Sequence, residues 1–306
     1  MYNMITNKIS IAIPVYERVD FFEDALNSAL TQTTKCPVYI VDNASSHNKF
    51  QEIIEKKHDF MITYIRNEKN VGMVGNWNRC IEVCQTEYLS ILHDDDVLHS
   101  NYIENCLDIL KKYPSQKYCY SVSTISGTNP SILLQQKIKK ERYINFKTKY
   151  FMYRNLTAFP GVLFPVSVAN TIGGFDESEY PSADYHFWMR LSKNIAIVKS
   201  NLPYAFYRVS DQQDTTKCFG DMLCKIYERR KILLSKRKYA SYFISMWKLY
   251  ANYLSYCEKY GEKIDVKNSH LYKWLKFFRK IDTRVFRIFC ICYCKLIFYI
   301  NRVPNF

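Results

Sequence analysis

The sequence predicts an α/β protein, a mainly parallel sheet flanked by helices and followed by a basic helical region. Three observations carry that prediction. Between residues 8 and 112, short apolar runs alternate with helical periodicities, the pattern of strand–helix–strand units with right-handed crossovers. The run Tyr88-Leu89-Ser90-Ile91-Leu92 ends in His93-Asp94-Asp95-Asp96, placing three carboxylates at a strand end, where open α/β sheets bind ligands. Residues 217–306 hold 20 Lys and Arg against 6 Asp and Glu, while residues 1–216 hold 23 of each, so the whole net charge of +14 lies in the C-terminal part. The expected division is therefore 1–216 and 217–306. An apolar fraction of 48% with 24% charged residues excludes a disordered chain. Only 8 Gly in 306 residues argue against collagen-like, linker-rich and glycine-loop nucleotide folds.

The elements follow in order. Lys8–Pro14 reads as a strand ended by a proline that cannot donate to a ladder. Asp20 is expected to cap a helix from Phe21 to about Leu30, with Phe22, Ala25, Leu26 and Ala29 on one face. Pro37–Val41 is a second strand, Lys49–Lys57 a helix and Met61–Ile65 a third strand. A helix over about Gly75–Cys84 leads into the strand Tyr88–Leu92. Another follows over Tyr102–Lys112, then a strand over Lys117–Ile125. Residues 126–150 are polar and irregular, with Lys137, Lys139, Lys140 and Arg142 clustered, and suggest a mobile loop. Gly161–Phe164 is a strand, Asp184–Leu191 a short helix, and Ile195–Val198 and Pro203–Arg208 two final strands.

Adjacent carboxylates at a buried strand end repel one another, a cost that makes sense beside a cation. Mg²⁺ and Mn²⁺ favour oxygen ligands and bridge carboxylates to phosphates. The alternative is an acidic turn leading into the helix after Ser100. In a parallel sheet the ends of the first, second and fourth strands share an edge, so Pro14-Val15-Tyr16, Asp42-Asn43 and His93–Asp96 should converge on one cleft. A solvated turn needs no such company.

The C-terminal part reads as helical from Lys217. Arg229-Arg230-Lys231 and Lys236-Arg237-Lys238 precede a Tyr-rich stretch punctuated by Gly261. Val285–Ile300 is apolar but interrupted by Arg287 and Lys295, too short and too charged for a span of roughly 20 apolar residues. Basic residues interleaved with aromatics fit a helix lying in a membrane interface, the alternative being a packed terminal helix. The start, Met1-Tyr2-Asn3-Met4-Ile5, lacks the charge and apolar core of a secretory signal. The 11 Cys, including Cys290, Cys292 and Cys294, lack framework or zinc spacing. Free thiols in a reducing cytoplasm are expected.

Taken in order, four motifs make the chain resemble the family 2 glycosyltransferases: Ile9–Tyr16, Tyr39–Ser45, Asn70-Val71-Gly72 through Asn78, and the acidic strand end. A fifth, Gly173-Gly174-Phe175-Asp176 followed by Ala183-Asp184-Tyr185-His186-Phe187-Trp188, resembles the acceptor-side segment. The resemblance covers about residues 8–210 and implies a GT-A, Rossmann-like fold with inverting, nucleotide-sugar-dependent chemistry. It also implies site residues. Pro14 and Tyr16 would lie at the nucleotide base and Asp42 would accept a hydrogen bond from it. Asn70, Gly72 and Asn78 would help close the donor pocket, with Asp94 on the ribose. Asp95 would bind a Mn²⁺ or Mg²⁺ ion bridging the diphosphate, with Asp96 as second ligand or orienting partner. Asp184 would be the general base, although an Asp at a helix start is also a favoured cap.

The chain departs from the family pattern at three places: His93 stands where Asp is frequent, Ala183 where Glu often precedes the base, and Ser210 where many members carry His. There Ser210, Asp211 or water would have to substitute. The resemblance and the basic C-terminal region together point to transfer of a hexose from a UDP-sugar. The acceptor would be an undecaprenyl-diphosphate-type lipid-linked saccharide of an O-antigen or capsule repeat unit. The place expected is the cytoplasmic face of the membrane. Two rivals are a catalytically silent scaffold of the same fold and a nucleic-acid binder using the basic helices. The second leaves the carboxylates unused, and no nucleic-acid partner is expected.

Overall fold

The computed structural model describes residues 5–113, 118–133, 142–146, 148–153, 155, 157, 159–210, 217–234, 239–260 and 266–300. The basic residues Lys137, Lys139, Lys140 and Lys236-Arg237-Lys238, together with Asp211 and Gly261, lie outside them. The chain divides into two compact units. The first takes in 1–147, 157–177 and 190–210; the second takes in 148–156, 178–189 and 211–306.

The first unit follows an alternating order: β1 (Ile9–Val15), α1 (Phe22–Leu30), β2 (Val38–Asp42), α2 (Lys49–Glu55), β3 (Ile62–Arg66), α3 (Gly72–Val83) and β4 (Tyr88–Ile91). It continues through β5 (Val97–Leu98), α4 (Tyr102–Lys112), β6 (Tyr118–Gly127), β7 (Tyr143–Phe146), β8 (Val162–Pro165), α5 (Val166–Thr171) and β9 (Ala196–Arg208). Between the last two, α6 (Ala183–Asn194) crosses the division. Among the described residues nine strands form one sheet in the order β3-β2-β1-β4-β8-β6-β9-β5, with β7 also on β9. β1 to β4 are mutually parallel; β8 is antiparallel to β4 and β6. Residues of β1 and β2 are buried almost throughout, as expected of strands covered on both faces. The core joins them to Phe22, Ala25, Leu26 and Ala29 of α1, the stripe the periodicity predicts.

The structure corrects the expected elements at several points. β1 runs through Pro14 to Val15, with Pro14 opposite Val41. Ile11 donates toward β2, so Pro14 faces β4, where pairing has already stopped at Ala12–Ile91 and no donor is needed. Phe21, not Asp20, holds the cap position of α1, and no side chain caps it. α3 begins at Gly72 rather than Gly75. The two final strands are one 13-residue strand, β9, whose pairing with β6 shifts register between Ser121 and Thr124. Within 126–150, where an irregular loop was expected, β7 pairs with β9.

The second unit is helical: the first part of α6, then α7 (Phe219–Leu234), α8 (Tyr239–Tyr260), α9 (Ser269–Ile281) and α10 (Arg284–Ile300). Arg230 is buried here, its guanidinium against the Tyr185 hydroxyl and the Ser245 carbonyl, both at 3.4 Å. Glu179 pairs with Arg229, and that guanidinium holds its carboxyl below the ordinary range. Asn268 caps α9 by accepting from the His270 and Leu271 amides at 3.1 and 3.0 Å. The cysteines are free, with Cys290 and Cys294 buried and Cys292 exposed. No helix among the described residues is long and apolar enough to cross a membrane.

Candidate active site

Register brings the predicted strand ends together. Val15 lies opposite Asp42 across the β1–β2 pair, and the Leu92 amide donates to Ala12, so all three strands release their chains on one edge. Tyr16 is exposed there, 45% of its surface accessible. At the next residue the backbone turns into the left-handed region, Glu17 at φ 56. The Glu17 amide donates to Ser45 Oγ at 3.0 Å, and its carboxylate accepts from the Ser46 amide at 2.7 Å. These bonds tie the end of β1 to the loop after β2.

Asp42 organises that loop. Its carboxylate is fully buried and accepts from Ser45 N at 2.9 Å, Ser45 Oγ at 2.6 Å and Tyr64 Oη at 2.6 Å. Asn43, placed at the cleft by the sequence but given no role of its own, carries the next layer. Its side chain donates to Asn70 Oδ1 at 2.9 Å and accepts from the Val71 amide at 2.9 Å. Gly72 follows with φ +78, and a Cβ there would meet no atom within 4 Å. The glycine is required by the backbone turn, not by crowding. Asn78 faces another way: its amide brackets Phe175, donating to the carbonyl at 2.9 Å and accepting from the amide at 2.7 Å. It holds the Gly173–Asp176 turn against α3.

The acidic strand end meets a cation already supplied by the chain. Arg18 Nη2 donates to Asp94 Oδ1 at 3.0 Å and Asp95 Oδ2 at 2.9 Å. From Asp96 the chain passes into β5, which pairs with the far end of β9. That crossing delivers Arg208. Its backbone amide donates to Asp96 Oδ1 at 2.9 Å, Nε to the Asp95 carbonyl at 2.8 Å, and Nη2 to Asp24 at 2.7 Å. Arg18 and Arg208 were both missed. A search for basic residues near an acidic cluster would have flagged Arg18, two positions after Tyr16; Arg208 is visible only through the β5–β9 pairing.

Burial pushes the Asp94 carboxyl up to about 6, with Arg18 pulling the other way. Burial, reinforced by the neighbouring Asp95 charge, raises Asp96 well above the ordinary range. Burial also holds His93 below its usual value, favouring the neutral imidazole. His93 packs against Trp77 and Phe159 with ring centroids 5.5 and 4.4 Å apart. Asp96 Oδ2 and His93 Nε2 are buried with no hydrogen-bond partner among the described residues. His93, Asp95 and Asp96 offer ligand atoms within 4.8 Å of one another. The orphaned atoms and the donor set of two carboxylates with one imidazole fit a hard divalent cation, and suit Mn²⁺ better than the oxygen-seeking Mg²⁺. His93, rather than Asp94, completes this cluster.

Asp184 belongs to the second unit and lies in the first turn of α6. Asn155 donates to its Oδ2 at 3.5 Å, and burial pushes the carboxyl up to about 6. Ser210 follows β9 and is partly buried.

The model of glycosyl transferase family 2 matches residues 10–170, more than half of the chain. The chain belongs to that family. Uncharacterized glycosyltransferases of Methanocaldococcus jannaschii and Rickettsia conorii are 25% and 27% identical over 61% and 62% of this chain, which spans 65% and 32% of their lengths. The Escherichia coli protein named UDP-Glc:alpha-D-GlcNAc-diphosphoundecaprenol beta-1,3-glucosyltransferase WfaP is 26% identical over 70% of this chain and 82% of its own. Two solved structures share the fold. S. aureus TarS 1–349 in complex with UDP-GlcNAc gives a TM-score of 0.59 at 15% identity, covering 83% of this chain and 73% of its own. The mannosyltransferase PcManGT from Pyrobaculum calidifontis, in complex with GDP-Man and Mn²⁺, gives 0.59 at 13% identity over 95% and 85%. The family 2 chain thus has the GT-A type of α/β sheet that its sequence resemblance implied.

Proposed function

We propose that this family 2 glycosyltransferase transfers a hexose, with inversion, from a UDP-sugar to an undecaprenyl-diphosphate-type lipid-linked saccharide in surface-polysaccharide assembly. The observation that carries the reading is the cluster His93, Asp95 and Asp96, with its orphaned buried atoms, on the sheet edge that also bears Tyr16 and the Asp42–Ser45 loop. The UDP-GlcNAc bound to TarS and the lipid-linked acceptor in the name of WfaP support the substrate classes.

In this reading Tyr16 stacks on the base, and Asp42 shapes the base pocket by holding the Ser45 loop. Asp42 Oδ1 already accepts twice from Ser45, so a direct contact with the base would fall to Oδ2, which Tyr64 shares. The Asn43–Asn70–Gly72 layer closes the donor side and Asp94 takes the ribose. His93, Asp95 and Asp96 would hold Mn²⁺ or Mg²⁺, which supplies positive charge to the departing diphosphate. Asp184 accepts the proton of the acceptor hydroxyl as that oxygen bonds to the anomeric carbon. The bond from that carbon to the phosphate oxygen breaks, and its electron pair leaves on UDP. A carboxyl with a value of about 6 is ionised at neutral pH yet more basic than an ordinary Asp, which suits a general base. The family 2 domain spans only part of some relatives, and the acceptor assignment rests on the basic helices together with WfaP.

A donor screen tests this. Nucleotide sugars are offered with a synthetic lipid-diphosphate monosaccharide, in Mn²⁺ or in EDTA. The expected result is transfer from one UDP-hexose, with inverted anomeric configuration, abolished by EDTA. Transfer from no nucleotide sugar overturns the reading, and full activity in EDTA removes the metal from it.

A further inference from the structure

The second unit carries a surface that the transfer chemistry does not use. Between Ser269 and Ile300 the chain has seven Lys and Arg against a single carboxylate, Asp282. That carboxylate is taken by Arg287 at 2.7 Å and Tyr250 at 2.8 Å. α9 buries Leu271, Leu275 and Phe278, and turns Tyr272, Lys273, Lys276, Phe277, Arg279 and Lys280 outward. Among the described residues Lys273, Lys276 and Lys280 have no ion-pair partner. A pocket of about 360 Å³ opens here, lined by Tyr253, Tyr272 and Leu275 and edged by Lys276, Arg279 and Lys280. α10 buries Cys290 and Cys294 but exposes Val285, Ile288, Phe289, Cys292 and Leu296. That spacing is one continuous apolar stripe at helical period. Val285 is 77% exposed and Phe289 58%, more than a packed terminal helix needs to leave open.

We propose that α9 and α10 form the docking face for an anionic bilayer, with a phospholipid phosphate seated in the Lys276–Arg279–Lys280 pocket and the α10 stripe inserted among the acyl chains. Charge complementarity selects this occupant. A second copy of the chain would bring the same cations against these, and an acidic protein would leave the apolar stripe without a match. Basic residues beside exposed aromatics and aliphatics on short helices are the composition of interfacial, not spanning, membrane helices. The inference deepens the lipid-linked acceptor reading by naming the face that would bring the enzyme to its substrate.

The test is flotation of the full chain with phosphatidylcholine vesicles containing 0% or roughly 30% phosphatidylglycerol, a composition in which polybasic segments respond measurably. Wild-type protein is expected to float with the anionic vesicles and remain behind with the neutral ones. Lys273→Glu, Lys276→Glu and Lys280→Glu together should weaken binding about a hundredfold, near fivefold for each lost lysine before reversal is counted. Ile288→Ser with Phe289→Ser should weaken flotation with the anionic vesicles although every lysine is kept. UDP affinity and thermal melting are recorded on the same variants. Intact UDP binding with equal flotation on neutral and anionic vesicles, or no effect of the lysine variant, overturns the docking face and leaves the transferase reading standing. RNA that strips the protein from vesicles and loses its own binding in the lysine variant reassigns the face to nucleic acid. Loss of UDP binding in wild-type protein, with flotation retained, overturns the transferase reading instead.

Discussion

The acidic strand end of the first unit and the basic helices of the second treat charge in opposite ways. At the strand end Asp94, Asp95 and Asp96 are enclosed, and each is met by a group of the protein: Arg18 on the first two, the Arg208 backbone on the third. On α9, Lys273, Lys276 and Lys280 stand in solvent with no ion-pair partner among the described residues. Enclosed charge is costly and survives only where its surroundings repay it. Exposed charge costs folding little, so its accumulation on one face says more about a partner than about stability. On the proposed reading, the difference separates chemistry, in the crowded carboxylates, from attachment, in the uncrowded lysines.

The sharpest way to break this comparison is to remove a charge from the enclosed site. Asp95→Asn should lower transfer about a thousandfold, on the order of 4 kcal/mol of transition-state stabilisation. It should also abolish Mn²⁺ binding measured by electron paramagnetic resonance while leaving the circular dichroism spectrum unchanged. Normal Mn²⁺ binding in that variant would move the ligand set off Asp95.

The next effect separates Asp184 from the strand end. Its carboxyl, pushed up to about 6, would serve as the proposed base only when ionised. Transfer should therefore be flat above pH 7 and fall tenfold per unit below about pH 6. Asp184→Asn should lower kcat by roughly 10²–10⁴ with UDP affinity unchanged. A limb that persists in the low residual rate of Asp184→Asn would belong to another group.

A smaller effect tests whether Arg18 acts as the resident counter-charge. It shares the Asp94 and Asp95 oxygens with any cation that enters. Arg18→Ala should tighten Mn²⁺ binding about tenfold in the absence of nucleotide, equivalent to ~1.4 kcal/mol. Weaker binding in that variant would show that the arginine organises the carboxylates instead of competing for them.

How much of this was legible depended on distance along the chain. β1, β2 and β4 were read correctly because apolar runs bounded by turn residues signal buried strands locally. The acidic run His93–Asp96 was legible as a candidate site because its charges are adjacent in sequence. The partners of those charges were not. Arg208 reaches Asp96 across 112 positions, through a two-residue strand too short to leave a pattern. β7 was invisible because Tyr143–Phe146 takes its place by pairing with β9, more than fifty positions along the chain. Asp20 was misassigned as a cap because a favourable residue type does not fix the backbone that would let it act. Pro14 was read as a terminator because proline forbids one donor, whereas the ladder needed none on that side.

The smallest effect distinguishes two glycines that look alike in sequence. Gly72 and Gly174 both have positive φ, at +78 and +64. A Cβ on Gly174 would stand 2.5 Å from Asn78 Oδ1, so Gly174→Ala must displace the amide that brackets Phe175. Gly72 has open space, so Gly72→Ala meets only the left-handed backbone penalty of about 1–2 kcal/mol. Its melting temperature should fall by a few degrees, and Gly174→Ala should fall further. The space beside Gly72 is where the proposed donor pocket closes. If UDP affinity in Gly72→Ala drops well beyond what the melting loss explains, the ligand passes close to that backbone. If affinity and stability fall together, the glycine serves the turn alone, and the donor contacts of this layer belong to Asn70 and Asn43.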